Sequence, residues 1–402
     1  MNCQIVKPVQ GGSLKAIPSK SAAHRLMIAA GLSGLSLEGK ADGLSEDISA
    51  TKECIQALLG DGEVKKMNCR ESGSTLRFMV PVAAVFGGRN EFAACGRLPE
   101  RPMTALREQL VGHGCTMSRD GENPIWTEGK LEAGIYRLPG NISSQYVTGL
   151  LMALPLCEGN SRIEIDGVLQ SRPYVDMTLD VLKKSGIEIY EGESFFEVRG
   201  KQRYNLPEKY IDDIEGDWSN AAFWLVMDAV SEGNITCTGL NPDSAQGDKR
   251  IADYLNITCS DKEIDIDVSD IPDLVPVLCV LASARKKGAV TNIVNAQRLR
   301  FKESDRLKAV TEVMNGLGAD IEERYDSLAI RGVERLKGGT ADGYNDHRIV
   351  MMAATAACIS DGVIEIKGCE AVNKSYPAFF EHYTALGGEV AYVSSIRKEY
   401  QR

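Results

Sequence analysis

The sequence predicts an α/β protein of two domains from three observations: its length, a recurring helix–glycine–strand pattern, and a break near the middle of that pattern. At 402 residues the chain is long for one hydrophobic core, so two domains are expected. The pattern is read first from Leu110-x-x-x-Gly114-x-x-Met117. It returns as Leu182-x-x-x-Gly186-x-x-Ile189, Met314-x-x-x-Gly318-x-x-Ile321 and Tyr383-x-x-x-Gly387-x-x-Val390. Each copy reads as an amphipathic helix stopped by a glycine just past its end and followed by a strand. A turn and a second strand come next, over 125–129, 196–200 and 328–332. Leu58-x-x-x-Gly62 opens a weaker copy, and 252–258 is a sixth candidate that lacks the glycine. Polar residues and Pro207 interrupt the pattern over 204–217, so the domain boundary is placed there, with three units before it and three after.

Composition narrows the function. Hydrophobic residues at 43% and charged residues at 25% are ordinary for a soluble globular protein. A net charge of −10 argues against binding nucleic acid or an anionic membrane, because both need a basic surface. Met1-Asn2-Cys3-Gln4-Ile5 has neither the basic nor the apolar region of a secretory signal. The longest apolar runs, 274–284 and 349–359, are about half as long as a membrane span and read as buried helices. Eleven cysteines, an odd number with no C-x-x-C pair, suggest reduced thiols in the cytoplasm. The four histidines form no H-x-x-x-H pattern, so no metal site is expected.

The cations carry the functional signal. In this acidic chain several of them lie among Gly, Ser and Pro at the starts of apolar helices. Pro18-Ser19-Lys20-Ser21-Ala22-Ala23-His24-Arg25 leads into the apolar run 26–32. Ser19 or Ser21 can cap that helix, whose free N–H groups favour an anion. Glu71-Ser72-Gly73-Ser74-Thr75-Leu76-Arg77-Phe78 repeats the logic, with Gly73 allowing a ligand close to the backbone. Neither a phosphate-loop motif nor a dinucleotide fingerprint is present. Asn141-Ile142-Ser143-Ser144-Gln145-Tyr146 and Ser171-Arg172-Pro173-Tyr174 add hydroxyls, an amide, a guanidinium and a phenol, groups that suit a polyhydroxylated phosphorylated ligand. The second half contributes Ile271-Pro272-Asp273, Lys302-Glu303-Ser304-Asp305-Arg306, Asp346-His347-Arg348 and Lys374. Taken singly, most read equally as an ordinary helix cap, turn or solvated charge run, but Asp346-His347-Arg348 is harder to dismiss, since an exposed face would not need that charge density before so apolar a segment.

Taken in order, with Arg101-Pro102 added, the set resembles the signature of the 5-enolpyruvylshikimate-3-phosphate synthase family, over nearly the whole chain from about residue 18 to 377. The resemblance implies two domains, each of three βαβαββ units, with the active site in the cleft between them. It places one domain over 13–214 and the other over 1–12 and 215–402, with hinges near 12–13 and 214–215. It implies that Lys20, Ser21, Arg25, Ser143, Ser144, Ser171, Tyr174, Asp273 and Lys302 hold shikimate 3-phosphate. Phosphoenolpyruvate falls to Lys20, Gly73, Arg77, Arg101, Gln145, Arg306, His347, Arg348 and Lys374. Lys20, Asp273 and Glu303 are the candidates for proton transfer.

The implied reaction belongs to the shikimate pathway of aromatic amino acid biosynthesis and needs neither cofactor nor metal. The 5-hydroxyl of shikimate 3-phosphate adds to C2 of phosphoenolpyruvate while a proton enters at C3, and the tetrahedral ketal then loses phosphate. The resemblance also implies a cytoplasmic monomer and a target for glyphosate. Three departures stand out: Glu71 where Asn is frequent, Phe78 where Pro is common, and Arg298 near a position often filled by Asn. The related UDP-N-acetylglucosamine enolpyruvyl transferases are a poorer match. They use a loop cysteine and a lysine–asparagine motif, whereas here Ser-Lys-Ser precedes Arg25 and Cys115 falls in the repeat. A catalytically dead relative would be expected to lose Lys20, Asp273 or Glu303, and all three are present.

Overall fold

A computed structural model describes residues 1–40, 45–231 and 234–393. The chain forms two compact units. One comprises Met1–Ile17, Trp218–Leu240 and Asp248–Arg402; the other comprises Pro18–Asp217 and Asn241–Gly247. The crossings therefore fall at 17–18 and 217–218, slightly beyond the expected 12–13 and 214–215. Local pairing explains the shift. Gly12–Lys15 runs parallel to Ile235–Thr238, which keeps 13–17 with the first unit. Ser19 N–H donates to Glu215 C=O at 2.8 Å, and Pro18 bridges Gly216, which keeps 215–217 with the second. The short excursion 241–247 joins them there, because Glu215 accepts from Ser244 Oγ and Gln246 Nε2 at 2.8 and 2.9 Å.

Four four-stranded sheets share one plan: a parallel pair joined through a helix, then two antiparallel strands with the last of the hairpin inside. In Pro18–Asp217 the sheets order as Val64–Arg70, Arg89–Ala94, Ile125–Gly129, Cys115–Met117 and as Ile135–Pro139, Ser161–Asp166, Phe195–Val198, Ile189–Glu191. The other unit has Ile264–Asp267, Val290–Val294, Leu328–Arg331, Asp320–Glu323. Its remaining sheet follows the same plan with Gly339–Asp342, Ile364–Lys367, Asn2–Lys7, Glu389–Val393, so the first strand of the chain takes the inner hairpin position. These are βαβαββ units. Gly186, Gly318 and Gly387, with φ of +75°, +102° and +85°, follow the helix C-caps directly as the left-handed residue that stops each helix, and Gly114 (φ +87°) makes the same turn two residues past the Gly112 cap.

The two weaker copies are shorter. At 255–259 the chain makes a 3₁₀ turn where the other copies have a glycine-started hairpin, and its unit keeps only the parallel pair of Gly12–Lys15 and Ile235–Thr238. After Glu46–Leu59 the cap at Gly60 is extended (ψ 179°), so the chain runs straight into Val64–Arg70 of the next sheet. Its unit contributes the helices Lys20–Leu32 and Glu46–Leu59. Each compact unit has its own apolar core. The runs at 274–284 and 349–359 are the buried helices Val275–Ser283 and His347–Ala356. No helix among the described residues is long and apolar enough to cross a membrane.

Candidate active site

The helix Lys20–Leu32 is capped by Ser19, whose Oγ accepts the Ala22 N–H at 3.3 Å. A second donor at this end, Lys20 N–H, is taken by Asp217 Oδ2 at 2.9 Å. Ser19 and Asp217 thus each satisfy one donor at this helix start. Lys20 Nζ lies 3.1 Å from Asp47 Oδ2, on the first turn of Glu46–Leu59. Arg25 points inward and is buried. Nε donates to Thr178 Oγ1 (2.8 Å), Nη1 to Ser21 C=O (2.5 Å) and Nη2 to Tyr174 C=O (2.8 Å). Burial pushes its guanidinium down to about 10. Phe78 lies beneath it, with the guanidinium carbon 5.1 Å from the ring centroid, so this departure acts as a platform for Arg25.

At the second anion motif, Ser72 caps the helix Gly73–Phe86, whose first turn has no acidic residue. Arg77 and Arg101 converge there. A methyl group at Gly73 would stand 2.7 Å from Nη1 of each arginine, so only glycine leaves both guanidiniums in place. Arg77 is held by Gln145 Oε1 (3.3 Å) and Pro102 C=O (3.2 Å), and Gln145 Nε2 donates to Ser74 Oγ at 3.0 Å. Two arginines at the positive end of a helix make a strong anion site. Glu71 packs against Gly96 in the loop after Arg89–Ala94, where an added methyl would meet its carboxyl carbon at 2.7 Å.

Ser143 caps Ser144–Ala153 through the Gln145 N–H at 3.3 Å, and Ser144 is buried beside it. Ser171 is left-handed (φ 57°) at the start of Arg172–Lys184. The two serine loops meet because Gly140 lacks a side chain: a methyl there would lie 2.5 Å from Val168 C=O.

In the other compact unit, one buried guanidinium organises the charges. Arg306 donates from Nε to Asp346 Oδ2 (2.8 Å), from Nη1 to Asp273 Oδ1 (2.8 Å) and from Nη2 to Glu303 Oε2 (2.6 Å). Burial opposes its charge, but Asp346, Glu303 and Asp273 outweigh burial and raise its pKa further. Arg348 Nη2 reaches Asp273 Oδ2 at 3.1 Å, and Lys302 Nζ lies 3.6 Å from Asp273 Oδ1. Asp346 caps His347–Ala356 by accepting the Arg348 N–H at 3.0 Å, and it accepts Ser304 Oγ at 2.9 Å. His347 is buried with Nδ1 3.9 Å from Asp346. Lys374 Nζ donates to Asn345 C=O at 2.6 Å. Of the alternating charges at 302–306, Lys302, Glu303 and Arg306 therefore join an inward network, whereas Asp305 caps Arg306–Gly316 and pairs with Arg300. Arg298 stands aside, donating to Ser269 C=O at 2.6 Å.

Within Pro18–Asp217 the structure links Lys20, Ser21, Arg25, Gly73, Arg77, Arg101, Gln145 and the serine loops. Within the other unit it links Asp273, Lys302, Glu303, Arg306 and Arg348, with Lys374 held next to Asp346. Sequence reading gave no role to Asp47, Asp217, Thr178 or Asp346. Asp346 stands in a quoted motif and was legible as a cap, whereas Asp47 and Asp217 pair with Lys20 only through long-range folding.

Fold and site together define an α/β protein of repeated units with cation-rich side-chain sets suited to small polyanions. Residues 48–383 match the EPSP synthase (3-phosphoshikimate 1-carboxyvinyltransferase) family, and the chain belongs to it. It is 43% identical to the 3-phosphoshikimate 1-carboxyvinyltransferase of Clostridium kluyveri, over 94% of this chain and 96% of that protein. It is 40% identical to the Clostridium acetobutylicum protein of the same name, over 97% and 98%. Among solved structures it resembles EPSP synthase from Acinetobacter baumannii, with a TM-score of 0.75 at 20% identity, covering 97% of this chain and 100% of that one. The enolpyruvyl transferase NikO from Streptomyces tendae has the same fold, with a TM-score of 0.73 at 13% identity and coverage of 98% and 99%.

Proposed function

We propose that the chain transfers the enolpyruvyl group of phosphoenolpyruvate to the 5-hydroxyl of shikimate 3-phosphate, releasing phosphate through a tetrahedral ketal. The observation that carries this reading is the convergence of Arg77 and Arg101 on the start of the Gly73 helix, a site for a small dianion in a family of enolpyruvyl transferases. Lys20, Gly73, Arg77, Arg101, Gln145, Arg306, His347, Arg348 and Lys374 are assigned to phosphoenolpyruvate. Ser21, Arg25, Ser143, Ser144, Ser171, Tyr174 and Lys302 are assigned to shikimate 3-phosphate, together with Lys20 and Asp273.

Arg306 and Arg348 are both engaged by Asp273. A substrate carboxylate has the same shape as that side chain and competes for the same forks. In this reading, exchange frees Asp273 to accept the 5-hydroxyl proton, while Lys20 and Glu303 share delivery to C3. A cytoplasmic monomer acting on these two small molecules completes the proposal. The test is phosphate release from phosphoenolpyruvate: it should depend strictly on added shikimate 3-phosphate, and release without it, or none with it, overturns the reading.

Gly73→Ala gives a sharper check of the donor site. Its methyl would push both guanidiniums away from the helix start. The KM for phosphoenolpyruvate should rise, and the inhibition constant of glyphosate should rise more, since that longer carboxylate–phosphonate has less room to adjust. An unchanged KM together with an unchanged inhibition constant removes Gly73 from the pocket.

A further inference from the structure

Beneath the start of the Gly73 helix runs a buried chain of side chains that none of the roles above uses. His24 Nδ1 lies 2.6 Å from Thr51 Oγ1, Thr51 Oγ1 lies 2.6 Å from Thr75 Oγ1, and Thr75 Oγ1 donates to Ser72 Oγ at 2.7 Å. All four residues are buried, so a missing partner would leave a desolvated polar atom. They come from the same elements that carry the donor-site residues. His24 lies between Lys20 and Arg25 on Lys20–Leu32. Thr51 sits one turn beyond Asp47, the partner of Lys20, on Glu46–Leu59. Ser72 and Thr75 form the cap of Gly73–Phe86, with Ser72 Oγ accepting the Thr75 N–H at 3.2 Å. The Asp47 carbonyl also lies 3.4 and 3.3 Å from the two threonine hydroxyls.

The protons have a consistent order. Burial, with Lys20 and Arg25 adding to it, pushes the His24 pKa far down, so the ring is neutral. Its Nε2 is buried without a hydrogen-bond partner, which places the hydrogen on Nδ1, because an orphaned N–H is worse than an orphaned acceptor. His24 then donates to Thr51, Thr51 to Thr75, and Thr75 to Ser72.

We propose that this chain is a positioning device for phosphoenolpyruvate: it fixes the start of the Gly73 helix against the Lys20–Asp47 pair, so that Gly73, Arg77 and Lys20 meet the donor in one geometry. The proposal rests on the reading that those residues hold phosphoenolpyruvate. Apolar packing between helices tolerates small slides, whereas short hydrogen bonds weaken steeply with distance and angle. Thr51 is the middle link and touches no proposed ligand group.

The test compares Thr51→Val, which removes the hydroxyl, with Thr51→Ser, which keeps it. Steady-state kinetics for both substrates, melting temperature and the ¹⁵N spectrum of labelled histidines are read on each full-length protein. Thr51→Val should raise the KM for phosphoenolpyruvate about tenfold and leave that for shikimate 3-phosphate within about twofold, since small misplacements act on the reacting geometry. The His24 signals should shift in Thr51→Val, and Thr51→Ser should restore both them and the KM. A shifted His24 signal with an unchanged phosphoenolpyruvate KM overturns the proposal: the chain exists but does not position. A parallel rise in both KM values, unrescued by serine, also overturns it, since that marks general loosening. If Lys20→Met and Gly73→Ala leave phosphoenolpyruvate use intact, the reading of the donor site fails and the proposal with it. If those two impair it and Thr51→Val does not, the proposal alone fails.

Discussion

Lys20→Met should keep the fold and lose about 10²–10⁴-fold in turnover, the range that one positioned acid–base group contributes. The side chain of Lys20 is partly buried, and its ammonium is paired with Asp47 at 3.1 Å. Methionine keeps the length of the stem but removes both the charge and the transferable proton. Fold retention follows from where the backbone is anchored. The Ser19 cap, the Asp217–Lys20 N–H bond and the buried run 22–31 do not involve Nζ. Asp47 keeps some exposure, 14% of its side chain, so water offsets part of the lost pairing and a modest fall in melting temperature is expected. Circular dichroism establishes the fold, and single-turnover kinetics establishes the chemical step. A folded variant that keeps more than about a tenth of wild-type turnover removes Lys20 from proton transfer.

How much of this was legible in the sequence depended on the range of the interaction. The helix–glycine–strand copies at Gly114, Gly186, Gly318 and Gly387 could be read because a left-handed cap is a local requirement with a residue preference. The copies near 58–62 and 252–258 are the weak ones in the sequence, and they are the units that fold short. Ser19, Ser72, Ser143 and Asp346 are helix caps, legible from a short polar residue placed before an apolar run. What could not be read was the direction in which a side chain turns. Arg25 and Arg306 look like surface cations in a linear sequence. Their burial is decided by Thr178 and Asp346, which lie 153 and 40 residues away. Asp217 likewise reaches Lys20 only because the second crossing runs beside the first, so its claim on that helix start had no local signal.

The two carboxylates around Arg306 should separate in kinetics. Asp273 spans three cations: Oδ1 faces Arg306 at 2.8 Å and Lys302 at 3.6 Å, and Oδ2 faces Arg348 at 3.1 Å. It sits on the 3₁₀ turn Pro272–Leu274 that leads into the buried helix Val275–Ser283, so its backbone is well fixed. Glu303 makes a 2.6 Å bond to Arg306 Nη2, and Arg306 would retain Asp346 and Asp273 without it. Asp273→Asn removes the charge and the proposed base together and turns an amide towards a guanidinium. Turnover should fall about 10²-fold or more, roughly 3 kcal/mol of barrier. Glu303→Gln keeps a polar contact to Arg306, and Lys20 can share the proton transfer, so its loss at saturating substrate should be smaller. Rapid-quench kinetics distinguishes loss of the base from disorder of the arginines. Disordered arginines would raise the KM for phosphoenolpyruvate, whereas a missing base slows formation of the tetrahedral intermediate even at saturation. If Asp273→Asn forms that intermediate at the wild-type rate, Asp273 is not the base, and the assignment passes to Lys20, whose ammonium would first have to give up its proton to act.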